Sequence, residues 1–268
     1  MGVLGLMACS VLAVTPEAIG NDDIVVPAPP SGVSLQVMPD EDVGPIKPMN
    51  AVNNGPNVVK SAEGFHPWRR FDDFRALNVP MTRTHDSRFT VGNPGRLNDI
   101  ALIFPNFDAD ENDPANFDFA LTDEYLNTIR LMGADIMYFL GSSSDTEMGG
   151  RNYGTDEPPK DFAKWARIAE RVIRHYNEGW GWTNADIPFS NQFNIVHWEL
   201  WNEPDLDCGD EYWTHGVKTW EQRRRYWHGS PEQFFEFYGV AATYLKKQFP
   251  NLKFGGPALA GRTGWADR

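Results

Sequence analysis

The 268-residue chain reads as an α/β protein built on a parallel sheet, and three observations point there. From Ile46 onward, short apolar runs alternate with helical segments, the signature of repeated βα units. A content of 41% hydrophobic and 23% charged residues is ordinary for a folded chain with a sizeable core. Two long connections, 87–121 and 204–229, each follow a strand candidate, and loops at that end of a parallel barrel carry its working face.

The strand candidates are 46–52, 80–86, 135–141, 194–202 and 252–258, five in all. Between the first two, a helix over 67–77 carries Trp68, Phe71 and Phe74. Thr122, with Asp123 and Glu124, opens the next helix, which Gly133 can end. Behind Pro158 and Pro159, the residues Phe162, Trp165, Ala169, Val172, Ile173 and Tyr176 share one helical face, so this helix packs on the sheet. Ser230, Pro231, Glu232 and Gln233 form a capping box with Pro in the first turn, starting a helix through Phe234, Phe237, Tyr238, Ala241 and Leu245.

Ahead of these elements, residues 1–20 are signal-like or lipoprotein-like. The apolar run from Val3 to Val14 suits a signal peptide's central region but is too short to span a membrane. Leu6, Met7, Ala8 and Cys9 resemble a lipobox, which makes Cys9 a possible lipid anchor; a chance cysteine in a truncated signal is the alternative, and both imply export to the periplasm, the surface or the medium. Residues 21–44, with Pro27, Ala28, Pro29 and Pro30, form a flexible tether, leaving 45–268 for one domain.

Composition excludes several functions. A net charge of -13 repels nucleic acid phosphates. With only Cys9 and Cys208, neither a disulfide framework nor a cysteine zinc site can be built. Asp108, Asp110, Glu111, Asn112 and Asp113 hint at calcium, yet lack the Gly and terminal Glu of an EF-hand loop and read as a solvated loop. Trp180, Trp182, Tyr212, Trp213, Trp220 and Trp227 fall in or near connections, where packing competes with sugar stacking.

The informative segment runs from Ile195 through His197, Trp198, Glu199, Leu200, Trp201, Asn202 and Glu203 to Pro204 and Asp205. Pro204 cannot donate a ladder hydrogen bond, so the strand stops at Glu203 and its carboxyl reaches the rim. Glycoside hydrolysis needs one carboxyl that stays protonated near neutral pH and a second that attacks or activates water. Apolar surroundings from Trp198 and Trp201 would hold the first in its neutral form, and Asn202 could bind a sugar hydroxyl. Glu199 reads as a hydrogen-bonding residue of the barrel interior.

Residues Trp198 to Pro204 resemble the strand-four motif of clan A glycoside hydrolases, with family 39, the β-xylosidases and α-iduronidases, the nearest fit. The likeness continues through His175, Tyr176, Asn177, Glu178, Gly179 and Trp180, then Gly229 to Gln233, then Gly255, Gly256 and Pro257. It implies a (β/α)8 TIM barrel, incomplete, with about the first five βα units in this chain. It also implies Glu203 as general acid/base and Asn202 as a ligand near the sugar's 2-hydroxyl. Arg83 and His85 look like the basic and histidine positions of the sugar subsite; Trp180 and Trp201 are further substrate-contact candidates, and Phe139 stands where a basic residue is expected.

The nucleophile of retaining members lies at the end of strand seven, and no position here matches it. The expectation is therefore a C-terminally truncated catalytic domain, poorly soluble and inactive alone. Asp86, Asp145, Glu147 and Asp205 are the other acids near strand ends. A binding protein that kept the groove and lost catalysis is the alternative. No cofactor and no metal is implied by the two-carboxylate chemistry, the partner is a carbohydrate, and oligomeric state is left open.

Overall fold

Five strands build one parallel sheet in chain order. The computed structural model describes residues 40–42, 44–55, 58–61, 64–67, 71–85, 98–141, 158–189, 193–205, 227 and 229–260. The sheet lies in the unit Lys47–Arg268; Met1–Ile46 is a separate unit, in which residues 40–42 and 44–46 are exposed. Cys9 and nearly all of the 21–44 segment fall outside the described residues.

The sheet strands are β1 (Val52–Asn53), β4 (Met81–Arg83), β5 (Asp135–Phe139), β6 (His197–Glu199) and β7 (Lys253–Gly255). Their helices are α1 (Phe71–Ala76), α2 (Ile100–Ile103), α3 (Ala120–Leu131), α4 (Phe162–Glu178) and α5 (Pro231–Gln248). Neighbouring strands follow each other in sequence with helical connections between them, the arrangement of the first five units of a (β/α)8 barrel. Between β1 and α1, the antiparallel pair β2 (Val58–Ser61) and β3 (Gly64–Pro67) is an addition that the sequence did not announce.

Every ladder is shorter than its apolar run. The first strand candidate shrinks to Val52 and Asn53, because only these pair with Thr82 and Arg83, while Ile46 and Met49 are solvent-exposed. Side chains alternate across the sheet. Ile136, Tyr138, Trp198 and Leu200 are buried toward the helices, with Tyr138 4.9 Å from Trp198 and 5.8 Å from Tyr176 of α4. Arg83, Phe139 and Glu199 occupy the opposite face.

Helix α4 begins at Asp161, whose side chain accepts from the Lys164 N–H, and ends at Gly179 in the left-handed conformation. It packs on α5 through Phe237, which meets Trp165 at 4.8 Å and Phe162 at 5.5 Å. Each large side chain buried in this way contributes about 1.5–3 kcal/mol. Ser230 caps α5 as expected, accepting from the Gln233 N–H. Helix α3 instead starts two residues before Thr122, because Asp118 takes the Ala120 N–H and leaves Thr122 buried inside the helix.

The acidic stretch near Asp110 is not a purely solvated loop. Glu111 is buried, bound to Arg167 at 2.6 Å and 3.5 Å from Lys164, so it ties the loop along α4. These cations hold its carboxyl below the ordinary 4.5 against the opposing effect of burial.

Candidate active site

The carboxyl ends of β1, β4 and β6 meet at one guanidinium. Arg83 closes β4, and its Nε and Nη2 each lie 2.6 Å from Glu199 Oε2 at the end of β6. Nη1 donates to Asn53 Oδ1 at 3.1 Å and Nη2 to Asn202 Oδ1 at 2.8 Å. Parallel register places Asn53 and Arg83 level with Met137 of β5, while Phe139 pairs with Glu199 two residues farther along, so the long Arg83 side chain reaches toward the carboxyl ends of the strands to meet Glu199. Burial raises the Glu199 carboxyl above its ordinary 4.5 although Arg83 pulls the other way.

Phe139, in the place of the expected base, lies under this group. Its ring centroid is 5.5 Å from the Arg83 guanidinium carbon and 5.8 Å from the His85 ring. A cation over an aromatic face contributes about 1 kcal/mol. His85 is also fixed through its backbone, with its N–H donating to Asn54 Oδ1 at 2.9 Å.

Beyond Glu199 the chain leaves strand geometry in two left-handed residues, Trp201 at φ 65° and Glu203 at φ 46°. Such residues cost about 1–2 kcal/mol each and persist only where neighbours hold them. Here the neighbours belong to the exit of β7. The Glu203 N–H is shared between the carbonyls of Pro257 and Ala258 at 3.1 and 3.2 Å, and Asp205 Oδ1 accepts from the Ala260 N–H at 2.8 Å. Gly256 lets this exit loop approach, because a Cβ there would sit 2.6 Å from the Leu200 carbonyl oxygen.

The turn at Trp201 decides where each side chain goes. Trp201 is fully buried against Trp227 at 5.1 Å and Phe237 at 5.5 Å, so it cannot stack on a sugar, contrary to expectation. Asn202 turns back toward Arg83 and is 1% exposed, and its Nδ2 has no hydrogen-bond partner among the described residues. An unpaired buried donor costs about 1–3 kcal/mol. Glu203 is half-buried beside it. Trp198 does not surround Glu203, since its indole faces the helices and donates to the Ile195 carbonyl.

Trp180 is not brought to this group. Asn177 of α4 exchanges two hydrogen bonds with Ile195, the residue that leads into β6, so this end of α4 lies at the amino ends of the strands. Trp180 packs there, edge-on to Phe117 and near Arg171. The stretch from His175 to Trp180 is architectural: His175 is buried between Asp123 at 3.0 Å and the Trp180 carbonyl at 2.8 Å, and burial pushes the Asp123 carboxyl up. A cavity of about 550 Å³ opens beside it, lined in part by Asp118, Asp123, Glu124 and Asp186.

Among the described residues no group of three or more His, Cys, Asp or Glu side chains is placed to hold a metal ion. Asp86, Asp145, Glu147, Tyr212, Trp213 and Trp220 lie outside the described residues. Asp205 is fully buried and engaged with the Ala260 N–H. Glu199 is buried and hydrogen-bonded to Arg83, as its reading as an interior hydrogen-bonding residue has it, whereas Asn53 and Asn54 were missed by sequence reasoning; the two asparagines directly follow the first apolar run, at a strand's carboxyl end, which was the available signal.

Comparison with known proteins gives the family and the fold. The family model for glycosyl hydrolases family 39 matches residues 81–267, more than half of the chain. Beta-xylosidases of Caldicellulosiruptor saccharolyticus and Geobacillus stearothermophilus are each 29% identical to it, over 107 and 108 residues, covering 40% of this chain and 17% of theirs. A glucosidase of Croceicoccus marinus superposes with a TM-score of 0.61 at 24% identity, over 85% of this chain and 41% of that one, and shares the fold. With its five parallel strands and the Asn202–Glu203–Pro204 rim, the chain belongs to the glycosyl hydrolases of family 39.

Proposed function

We propose that this chain carries the acid/base half of an O-glycosyl hydrolase site acting on xylose-like or uronic sugars of plant or microbial polysaccharide, with retention of anomeric configuration. One observation carries the reading. Glu203 stands at the carboxyl end of β6, its backbone bound to the exit of β7, next to a buried Asn202 amide whose donor has no partner among the described residues. Glu203 protonates the departing sugar oxygen and later takes the proton from water. Asn202 Nδ2 donates to a sugar hydroxyl, and Arg83 and His85 line the same subsite.

Retention requires a second carboxylate about 5–5.5 Å from the first. None of the described acids is given that role: Glu199 is tied to Arg83, and Asp205 to Ala260. The likeness of residues 6–9 to a lipobox supports export, with Cys9 as the site of lipid attachment.

Hydrolysis of 4-nitrophenyl β-D-xyloside by the product of the complete coding sequence, followed by proton NMR of the first sugar released, tests the reading. The β-anomer is expected first. Immediate release of the α-anomer overturns retention, and sugar binding without hydrolysis of any aryl glycoside replaces the enzyme with a carbohydrate-binding protein.

A further inference from the structure

The Arg83 cluster has a direction built into it. A guanidinium only donates hydrogen bonds, so the Asn202 atom 2.8 Å from Nη2 must be the amide oxygen. That contact fixes the amide's orientation by chemistry, a point usually left open for asparagine side chains. Asn202 then has its acceptor occupied and its donor buried without a partner among the described residues. Arg83 in turn is aimed by its two 2.6 Å contacts to the buried Glu199 carboxylate, while Asn53 takes the remaining end of the fork.

We propose that Glu199 is a positioning residue, which, by clamping Arg83, holds the Asn202 amide with its oxygen occupied and its Nδ2 presented to the sugar hydroxyl beside the anomeric carbon. This rests on the functional reading above. Glu199 touches no substrate in this scheme; it acts through two side chains. Consequently the site offers only a donor at that point, and the sugar oxygen there must accept.

The geometry also distinguishes this role from simple support of the sheet. Glu199 and Arg83 are 116 residues apart and join the ends of non-adjacent strands, with β5 between them. Phe139, the last residue of β5, has its ring centroid 5.5 Å from the guanidinium carbon, whose nitrogens bond Glu199, Asn202 and Asn53. Removing the Glu199 charge frees Arg83 to turn, and Asn202 loses the contact that sets which of its ends faces the sugar.

Glu199→Gln in the complete protein tests this with two substrates, 4-nitrophenyl β-D-xyloside and its 2-deoxy analogue. A charge-assisted contact of this kind corresponds to about tenfold to hundredfold in kcat/KM. That loss is expected on the xyloside and to be nearly absent on the 2-deoxy analogue, which has no oxygen for Asn202. Equal loss on both overturns the proposal and makes Glu199 a structural residue, as does no loss on either. A wild-type protein that hydrolyses neither glycoside defeats the functional reading instead. The positioning role is then decided without turnover: the side-chain amide protons of Asn202, observed by NMR in asparagine-labelled protein, shift and broaden in Glu199→Gln if it holds and are unchanged if it does not.

Discussion

The Cα of Trp201 lies 2.2 Å from the position that a Cβ on Gly141 would take, and the Trp201 nitrogen lies at 2.5 Å. The exits of β5 and β6 are thus pressed backbone to backbone just where the chain turns toward Asn202 and Glu203. No side chain fits between them, and what would be struck is main chain that cannot swing aside.

Gly141→Ala should therefore cost about 3 kcal/mol, lowering the melting temperature by roughly 6–12 °C. Calorimetry checks the stability, and the same variant should lose activity in its folded state because Trp201 pulls Asn202 with it. An alanine variant that melts with the wild type would show that the two exits are further apart.

Arg83 neutralises a carboxylate that is 5% exposed. Arg83→Met leaves that charge behind and should destabilise by about 3–5 kcal/mol in urea melts near neutral pH. Glu199→Met added to it should recover most of the loss, since two apolar side chains leave no charge unpaired. Because burial already raises the Glu199 carboxyl, its folded form binds protons more readily than the unfolded chain, and stability on this account is greatest below 4.5 and falls as pH rises. The deficit of Arg83→Met should therefore grow with pH upward from about 4.5. A deficit that shrinks over that range contradicts the assignment.

Glu170 has the opposite sign. It accepts from the Tyr244 hydroxyl at 2.5 Å and from Arg174 at 2.7 Å, linking α4 to α5, and these contacts hold its carboxyl below the ordinary 4.5 in spite of burial. Its stabilisation is present above 4.5 and is lost as pH falls through the depressed value. Glu170→Gln should cost about 1.5 kcal/mol at neutral pH and approach wild type in acid. A constant difference between the two proteins across that range would exclude the carboxylate as the cause.

The positions of the strands were legible because each is an apolar run between helical segments; the rim at Asn202 and Glu203 was legible too, although the ladder ends at Glu199 and not, as Pro204 suggested, at Glu203. What stayed hidden has physical reasons. Arg83 and Glu199 meet through parallel register across β5, which no local pattern encodes. Trp201 was a substrate-contact candidate beside the acid, but the left-handed backbone there turns its ring into the helix packing. The short helix Ile100–Ile103 sits in what read as a long connection, though Asp99 ahead of an apolar run, capping the Ala101 N–H, was a signal. The pair β2 and β3 is short and carries Lys60, His66 and Pro67, a weak strand pattern.

The account turns on Glu203 giving a proton to the leaving group. Glu203→Gln, assayed on xylobiose and on an activated 2,4-dinitrophenyl xyloside, measures that directly. A general acid contributes about 10²–10⁴-fold, so xylobiose hydrolysis should fall by at least about a hundredfold while the activated glycoside, which needs little protonation, is cleaved to its sugar–enzyme stage nearly as fast as before. Equal losses on both substrates in that first stage would contradict the assignment.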